Sequence, residues 1–354
     1  MRWKSCITTF VALAITMFTL YTCVKVLFQG FILETNDIVK NVKLSVPITR
    51  NPKRRPVYSY NTDGRVHTSN TTIDISKEID LLELDRRIVI AAGFSNKETY
   101  TGLGMITSIQ AHMPNKKIII YDLGISKHKV KSMKWMCNVE IRKINYTFYP
   151  SHVEMHDNMA WKILAIKELL MEYGAVLFVS PKIRLRAPVS ILLQYASKHH
   201  GIIGKVNYNN KTIDVTHPSL YRKFGLKYDI FKMFPDSPML SDDALLFVNN
   251  SAIYPTILQP LMSCTLTHTC IAPTGSVKRD VNPVGQIHTH HYAMSALTLL
   301  MYRNFNKTWV DDTHVHDVMD KLCQPAPYAS INDHQWAHYC NPPKKEVNCH
   351  SGKC

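Results

Sequence analysis

Three runs constrain this chain more than any other feature: Ile88-Val89-Ile90-Ala91-Ala92, Lys117 to Tyr121 (KIIIY) and Ala175 to Val179 (AVLFV). Each is a short, nearly continuous apolar block rich in β-branched residues. Such blocks suit strands buried on both faces. Between them lie segments of helical period: Tyr100 to His112, with Leu103, Ile106 and Ile109 on one face; Ser126 to Met136; and a long helix over Val153 to Tyr173 bearing Trp161, Ile163, Leu164, Ile166 and Leu170. A further strand is expected around Val139 to Ile144. Strands alternating with helices give an α/β fold, a mostly parallel sheet with helices on both faces. Ligands of such sheets bind beyond the carboxyl ends of the strands. That directs attention to Gly93 to Asn96, Asp122 to Gly124 and Ser180 to Arg184.

A second constraint lies at the amino end. Ser5 to Val24 carries no charge and is flanked by Lys4 and Lys25, long enough for one membrane-spanning helix at about 20 residues. Arg2, Lys4 and the amine precede it, so the positive-inside rule puts the amino terminus in the cytoplasm and the rest in the lumen. A cleaved signal peptide is the alternative. The A-x-A pattern Ala12-Leu13-Ala14, however, sits inside the apolar core, and bulky residues follow. The resulting plan is a cytoplasmic tail (1–4), a signal anchor (5–28), a polar stem (29–86), a folded lumenal domain (87–322) and a Cys-containing extension (323–354), in a single-pass type II protein of the Golgi or endoplasmic reticulum.

The remainder agrees with that compartment. Sequons occur at Asn70, Asn145, Asn210, Asn249 and Asn306, the acceptor pattern for N-glycans. Beyond the anchor lie Cys137, Cys264, Cys270, Cys323, Cys340, Cys349 and Cys354. Proximity suggests pairing Cys264 with Cys270, Cys323 with Cys340 and Cys349 with Cys354, leaving Cys137 buried and free, although sequence alone does not fix connectivity. The 42 basic against 27 acidic residues give a net charge of +15. In a lumenal protein this points to anionic substrates such as nucleotide diphosphates or acidic glycans, or to solubility, rather than to nucleic acid.

Several motifs carry a family likeness: AHMPNKKIIIYDLGIS (111–126), CNVEIRK (137–143), AWKILAIKELLMEYGAVLF (160–178), CTLTHTCIAP (264–273) and HYAMSALTLL (291–300). Over about residues 87 to 305 the chain resembles an invertebrate, nematode-rich family of unknown function. That family in turn resembles Golgi glycosyltransferases of the GT-A nucleotide-sugar fold. The resemblance implies a nucleotide-sugar donor, a glycan or glycoprotein acceptor and a pocket at the strand ends. Asp122 matches the family's strand-end aspartate and either accepts hydrogen bonds from the nucleotide or caps its own turn. Lys162, in a Trp-Lys pair, either holds a phosphate or is a surface lysine on the polar face of its helix. Gly102 and Gly104 lie within a helix and read as close packing. The Cys264–Cys270 pair is the family's own.

Two departures bear on mechanism. Ser180 stands where the resemblance implies an acidic metal ligand, and Lys182 replaces a small polar residue. Ala293 and Met294 replace an Asp and a Gln. A hydroxyl beside a cation is a poor site for Mn²⁺ or Mg²⁺. No metal or other cofactor is therefore expected, and Lys162, Lys182 and Arg184 are candidates to neutralise the donor diphosphate instead. Asp242 and Asp243, preceding an apolar strand-like run, are candidate general bases for a sugar hydroxyl, or else a turn or strand-start pair. His288 with His290, and His314 with His316, would share a face and ligate one ion if they lay on strands, but they match no strong zinc spacing and read as loop histidines. Three functions remain open: a metal-independent glycosyltransferase, an inactive GT-A-like binding protein, or a secretory-pathway interaction protein.

Overall fold

The three apolar runs form adjacent strands: β1 (Val89–Phe94), β2 (Ile118–Asp122) and β4 (Ala175–Val179). Together with β3 (Val139–Arg142), β6 (Ile202–Lys211) and β7 (Pro238–Val248) they make a six-stranded sheet of order β3-β2-β1-β4-β7-β6. The pairs β2–β3, β1–β2 and β1–β4 are parallel. β7 runs antiparallel to both β4 and β6. The computed structural model describes residues 81–227, 237–278, 287–326 and 337–340. These belong to one compact unit, Thr68–Cys354; a second, Met1–His67, lies outside the described residues, as does the expected anchor over 5–28. Among the described residues no helix is long and apolar enough to cross a membrane.

Strand side chains alternate between faces, and here both faces are apolar. On one face Val89, Ala91, Ile119, Tyr121, Val176 and Phe178 pack against α4 (Ala160–Tyr173) and α6 (Ala293–Phe305). On the other, Ile90, Ala92, Ile118, Ile120 and Leu177 meet α2 (Thr99–His112) and α7 (Thr313–Leu322). Of the remaining helices used here, α1 is Leu81–Arg87, α3 is Lys127–Met133 and α5 is Gln259–Thr265. Composition assigns α1 to the stem, but its Leu84 is fully buried in the second core.

The long helix expected over 153–173 is shorter. Residues 151–158 form two 3₁₀ turns, and α4 begins at Ala160. Asn158 caps it by accepting from the Ala160 N–H at 2.8 Å, and Met159 takes φ +58. A left-handed non-glycine residue breaks the helical path. The helix over Ser126–Met136 likewise shrinks to α3. At the far end of α4, Arg142 forks onto Glu172 at 2.6 and 2.9 Å and also reaches Glu168 and Glu140. This bidentate, charge-assisted contact ties the edge strand β3 to α4.

The cysteine pairing is corrected. Cys137 bonds Cys340, Cys264 bonds Cys270, and Cys323 is free and buried. Cys323 opens β10 (Cys323–Pro325), which pairs antiparallel with β5 (Ile183–Leu185), and packs in the core beside α7. Residues 337–340 instead run along 135–137: the Cys137 N–H donates to His338 O at 2.9 Å and the Cys340 N–H to Trp135 O at 3.1 Å. Gln110 clamps both segments through the carbonyls of Cys137 and His338. A strand alignment, invisible to spacing, brings Cys340 to Cys137. Cys349 and Cys354 lie outside the described residues.

Gly93 tests the packing of α4 on the sheet. A Cβ there falls inside the contact distance of the Trp161 indole ring. Overpacking of this kind costs about 1–3 kcal/mol. Gly93→Ala is therefore expected to lower the thermal midpoint, and Trp161→Leu in the same chain to recover part of the loss. Additive effects of the two substitutions would show that the contact is not made.

Candidate functional site

β1 and β2 pair Gly93 with Tyr121 and Phe94 with Asp122. The β1–β4 register, last paired at Ala91 and Phe178, continues to set Ser180 level with Gly93. Gly93, Asp122 and Ser180 thus stand on one edge of the sheet. The antiparallel run of β7 adds a fourth contributor. Val179 pairs with Ala244, and the Ser180 N–H donates to Asp243 O at 2.7 Å. Asp242 and Asp243 consequently lie within β7 rather than in a turn before it, both half-buried, at the carboxyl ends of the parallel strands.

Lys162 comes to the same place from α4. Its Nζ donates to Asp242 O at 2.6 Å and lies 5.1 Å from the Phe178 ring centroid. Trp161 beside it rests on Gly93 and donates from Nε1 to His156 O at 3.3 Å. Lys162 is buried rather than on a polar helix face. Burial pushes its ammonium below the ordinary lysine range, the carboxylates of Asp242 and then Asp243 pull it back up, and Lys278 pushes it down again. A cation in the first turn of a helix also opposes the helix dipole. Burial and position both disfavour this charge, and the carbonyl, the ring and two carboxylates compensate. Lys278, exposed just after β8 (Ser276–Val277), escapes sequence reasoning because nothing local marks it.

The other candidates divide. Asp122 serves its own turn: Oδ1 accepts from the N–H groups of Gly124 (2.9 Å) and Ile125 (2.7 Å), and Oδ2 pairs with Lys143 at 3.3 Å. Arg184 is buried against Gly104, and its Nη1 donates to Pro181 O at 3.2 Å and Ile183 O at 3.1 Å. It fastens the turn after β4 instead of presenting a fork. Gly102, against the Phe94 ring, and Gly104 are close-packing positions. Lys182 is exposed at the tip of that turn, with its carbonyl held by the Ala326 N–H at 2.7 Å. Ala293 and Met294 are buried at the start of α6. That helix is entered through Tyr292 at φ +46. Burial, then the Asp157 carboxylate, pushes the Tyr292 hydroxyl up. Met159 and Tyr292, at the entries of α4 and α6, are two of the non-glycine residues with positive φ; Asn138, His200 and Asn306 are others.

The histidines are structural. His290 is fully buried; its Nδ1 accepts from the His217 N–H at 3.3 Å and its Nε2 faces Ile271 O at 3.2 Å. It is therefore neutral, with the proton on Nε2. His288 belongs to β9 (His288–Thr289) and lies 4.9 Å from the His217 ring. His314 and His316 sit on α7, not on a strand; His314 meets Tyr195 Oη at 2.9 Å and His316 meets Trp309 O at 2.8 Å. Among the described residues no three His, Cys, Asp or Glu side chains gather as a metal site. Of the sequons, Asn145 and Asn306 are exposed, Asn210 is half-buried and Asn249 is buried; Asn70 lies outside the described residues.

Burial holds the His290 imidazole down at about 3, and it also lowers His217, His199 and His316. An unfolded histidine takes its proton near pH 6.5, so between there and about pH 3 the unfolded chain binds more protons than the folded one. Stability is therefore lost as pH falls through this window, at about 1.4 kcal/mol for each tenfold difference in proton affinity. His290→Gln keeps a donor and an acceptor but does not titrate. Thermal midpoints measured between pH 4 and 7 are expected to fall less steeply with acid in this variant; parallel curves would contradict a neutral buried His290.

Comparison with known proteins adds distant likenesses. Residues 65–167 match the model of a family described as a protein of unknown function (DUF1647). No curated protein matches the chain. Among solved structures, the chain is similar to the apo bifunctional glycosyltransferase WbbM at 15% identity and TM-score 0.35, covering 50% of this chain and 34% of that one. It is also similar to the galactosyltransferase LgtC, solved with donor and acceptor sugar analogues, at 11% identity and TM-score 0.42, covering 67% and 86%. An active-site mutant of LgtC gives 11% identity and TM-score 0.31, over 49% and 59%. The chain thus spans about a third of the length of WbbM. Likenesses this distant leave the reading of the site to its own residues.

Proposed function

We propose that the domain binds the diphosphate of a nucleotide sugar at the carboxyl edge of its sheet and transfers the sugar to a glycan or glycoprotein acceptor without a divalent metal. Exposed Lys182 and Lys278 meet the phosphates from the solvent side, while Lys162 supplies a fixed charge beneath them. The Ser180 hydroxyl takes a hydrogen-bonding place at the same edge. Arg184 acts indirectly, holding the turn that carries Lys182. Asp242 or Asp243 accepts the proton of the attacking acceptor hydroxyl as the glycosidic bond forms, and the nucleoside diphosphate departs toward the lysines. The observation that carries this reading is the convergence of Ser180, Lys162 and the Asp242-Asp243 pair, remote in sequence, through two backbone carbonyls.

One observation favours a second reading, a GT-A-like protein that binds without catalysis. Ala293 and Met294 are core residues at the entry to α6, so the acceptor side lacks the polar groups the family resemblance implies there. On either reading the cellular setting is a proposal: a type II protein of the Golgi or endoplasmic reticulum membrane, anchored through residues 5–28, with the exposed Asn145 and Asn306 as its best-placed glycan sites.

Calorimetric titration of the full chain with nucleoside diphosphates is the test. Affinity is expected to survive a chelator and to weaken with salt as the lysine charges are screened. Lys182→Ala is expected to cost roughly tenfold, about 1.4 kcal/mol for one charge-assisted contact. Ser180→Asp is expected to introduce a response to Mn²⁺. Binding abolished by chelator in the unaltered chain would overturn the metal-free arrangement. Binding with no donor hydrolysis or transfer would select the second reading.

A further inference from the structure

The segment after β2 reads SKHKVKSMK, Ser126 to Lys134. Met133 is buried and Val130 packs against the core, which turns Lys127, Lys131 and Lys134 outward. At spacings of four and three they share one helix face, and all three are exposed, as is His128. Lys129 lies 4.6 Å from the centroid of the Tyr100 ring, itself 55% exposed. Lys97, exposed on the turn after β1, joins them. The Asn96 N–H donates to Gly124 O at 3.2 Å, and Asn96 Oδ1 accepts from the Ser126 N–H at 3.3 Å. These two bonds set the Lys97 turn beside the start of α3. The nearby Glu98 is occupied, accepting from the Ser95 N–H at 3.3 Å. The described ion pairs use other lysines: Lys116, Lys117, Lys143, Lys198 and Lys205.

Like charges one helical turn apart repel and cost stability. Lys127, Lys131 and Lys134 have no carboxylate partner among the described residues to offset that cost. The face begins at the same sheet edge as the candidate site, since the Lys97 turn follows β1 and α3 follows β2. We infer that it binds a linear polyanionic glycan, a polysaccharide bearing sulfate or carboxylate groups at intervals. Lys127, Lys131 and Lys134 pair with successive anionic groups, and Lys129, over the Tyr100 ring, adds a charge beside them. The chain so held runs toward Ser180 and Asp242 as acceptor; that acceptor role rests on the donor-binding reading above, whereas the binding does not. A glycan fits better than a bilayer, because the face is built of lysines and its exposed Tyr100 ring already lies beneath Lys129.

The test uses the full chain in detergent, with a heparin oligosaccharide as probe and its desulfated counterpart as control. The sulfated probe is expected to bind and the desulfated one not. Affinity should fall at least about tenfold between about 50 and about 300 mM salt. The triple variant Lys127→Glu, Lys131→Glu, Lys134→Glu should lose at least tenfold, and the milder Lys→Gln triple an intermediate amount, both with unchanged thermal midpoint or better. Triple variants that bind heparin as the unaltered chain does, or equal binding of the desulfated probe, would overturn the inference. So would binding to phosphatidylserine vesicles in preference to heparin, which would make the face a membrane contact. Heparin binding of the expected pattern in a chain that takes no nucleoside diphosphate would refute the donor reading and leave this one standing.

Discussion

The structure turns on a buried ammonium. Lys162 is the third residue of α4, buried, donating to a backbone carbonyl of β7, the strand paired with the β4 into which the helix leads. Leaving such a charge without partners would be costly, so the Asp242 carbonyl, the Phe178 ring and the two half-buried carboxylates constrain one another around it. The contact fixes the entry of α4 against the ends of β4 and β7. It also places a positive charge beneath a solvent-facing edge, where a dianionic ligand would replace water.

The rest of the architecture holds that point still. Arg142 clamps the far end of α4 to β3 through its fork on Glu172. Trp161 lies on Gly93 and sets the depth of the helix over the sheet. Arg184, wedged against Gly104, stiffens the turn after β4, and β10 pairs along β5 behind it. A site built on strand ends and a helix start, rather than on long loops, holds its charges in fixed geometry, which is what electrostatic stabilisation requires.

Much of this was legible in the sequence. Apolar, β-branched runs reaching Gly93, Asp122 and Ser180 specify buried parallel strands, and their parallel alignment puts the carboxyl ends on one edge. The antiparallel course of β7 was not legible, because the apolar pattern of a strand buried on both faces carries no direction; for that reason Asp242 and Asp243 read as a turn or strand-start pair. Lys162 could not be assigned from its helix alone, since its burial depends on a strand 80 residues away. The Cys137–Cys340 bond depends on a short strand alignment at a separation of 203 residues. His314 and His316 read as loop histidines because their spacing matches no zinc signature, whereas they lie on α7, whose start is capped by Asp312 accepting from the Val315 N–H.

The claim that most needs a direct answer is that this edge receives a diphosphate with lysine rather than metal opposite it. A crystal structure of the chain with uridine diphosphate, grown with chelator present, is the measurement. The account predicts phosphate oxygens over the Ser180–Lys182 turn, within hydrogen-bonding reach of Lys182 or Lys278, with Lys162 still on the Asp242 carbonyl. Nucleotide density elsewhere on the domain, or at this edge only when a divalent ion bridges it to Asp242 and Asp243, would contradict it.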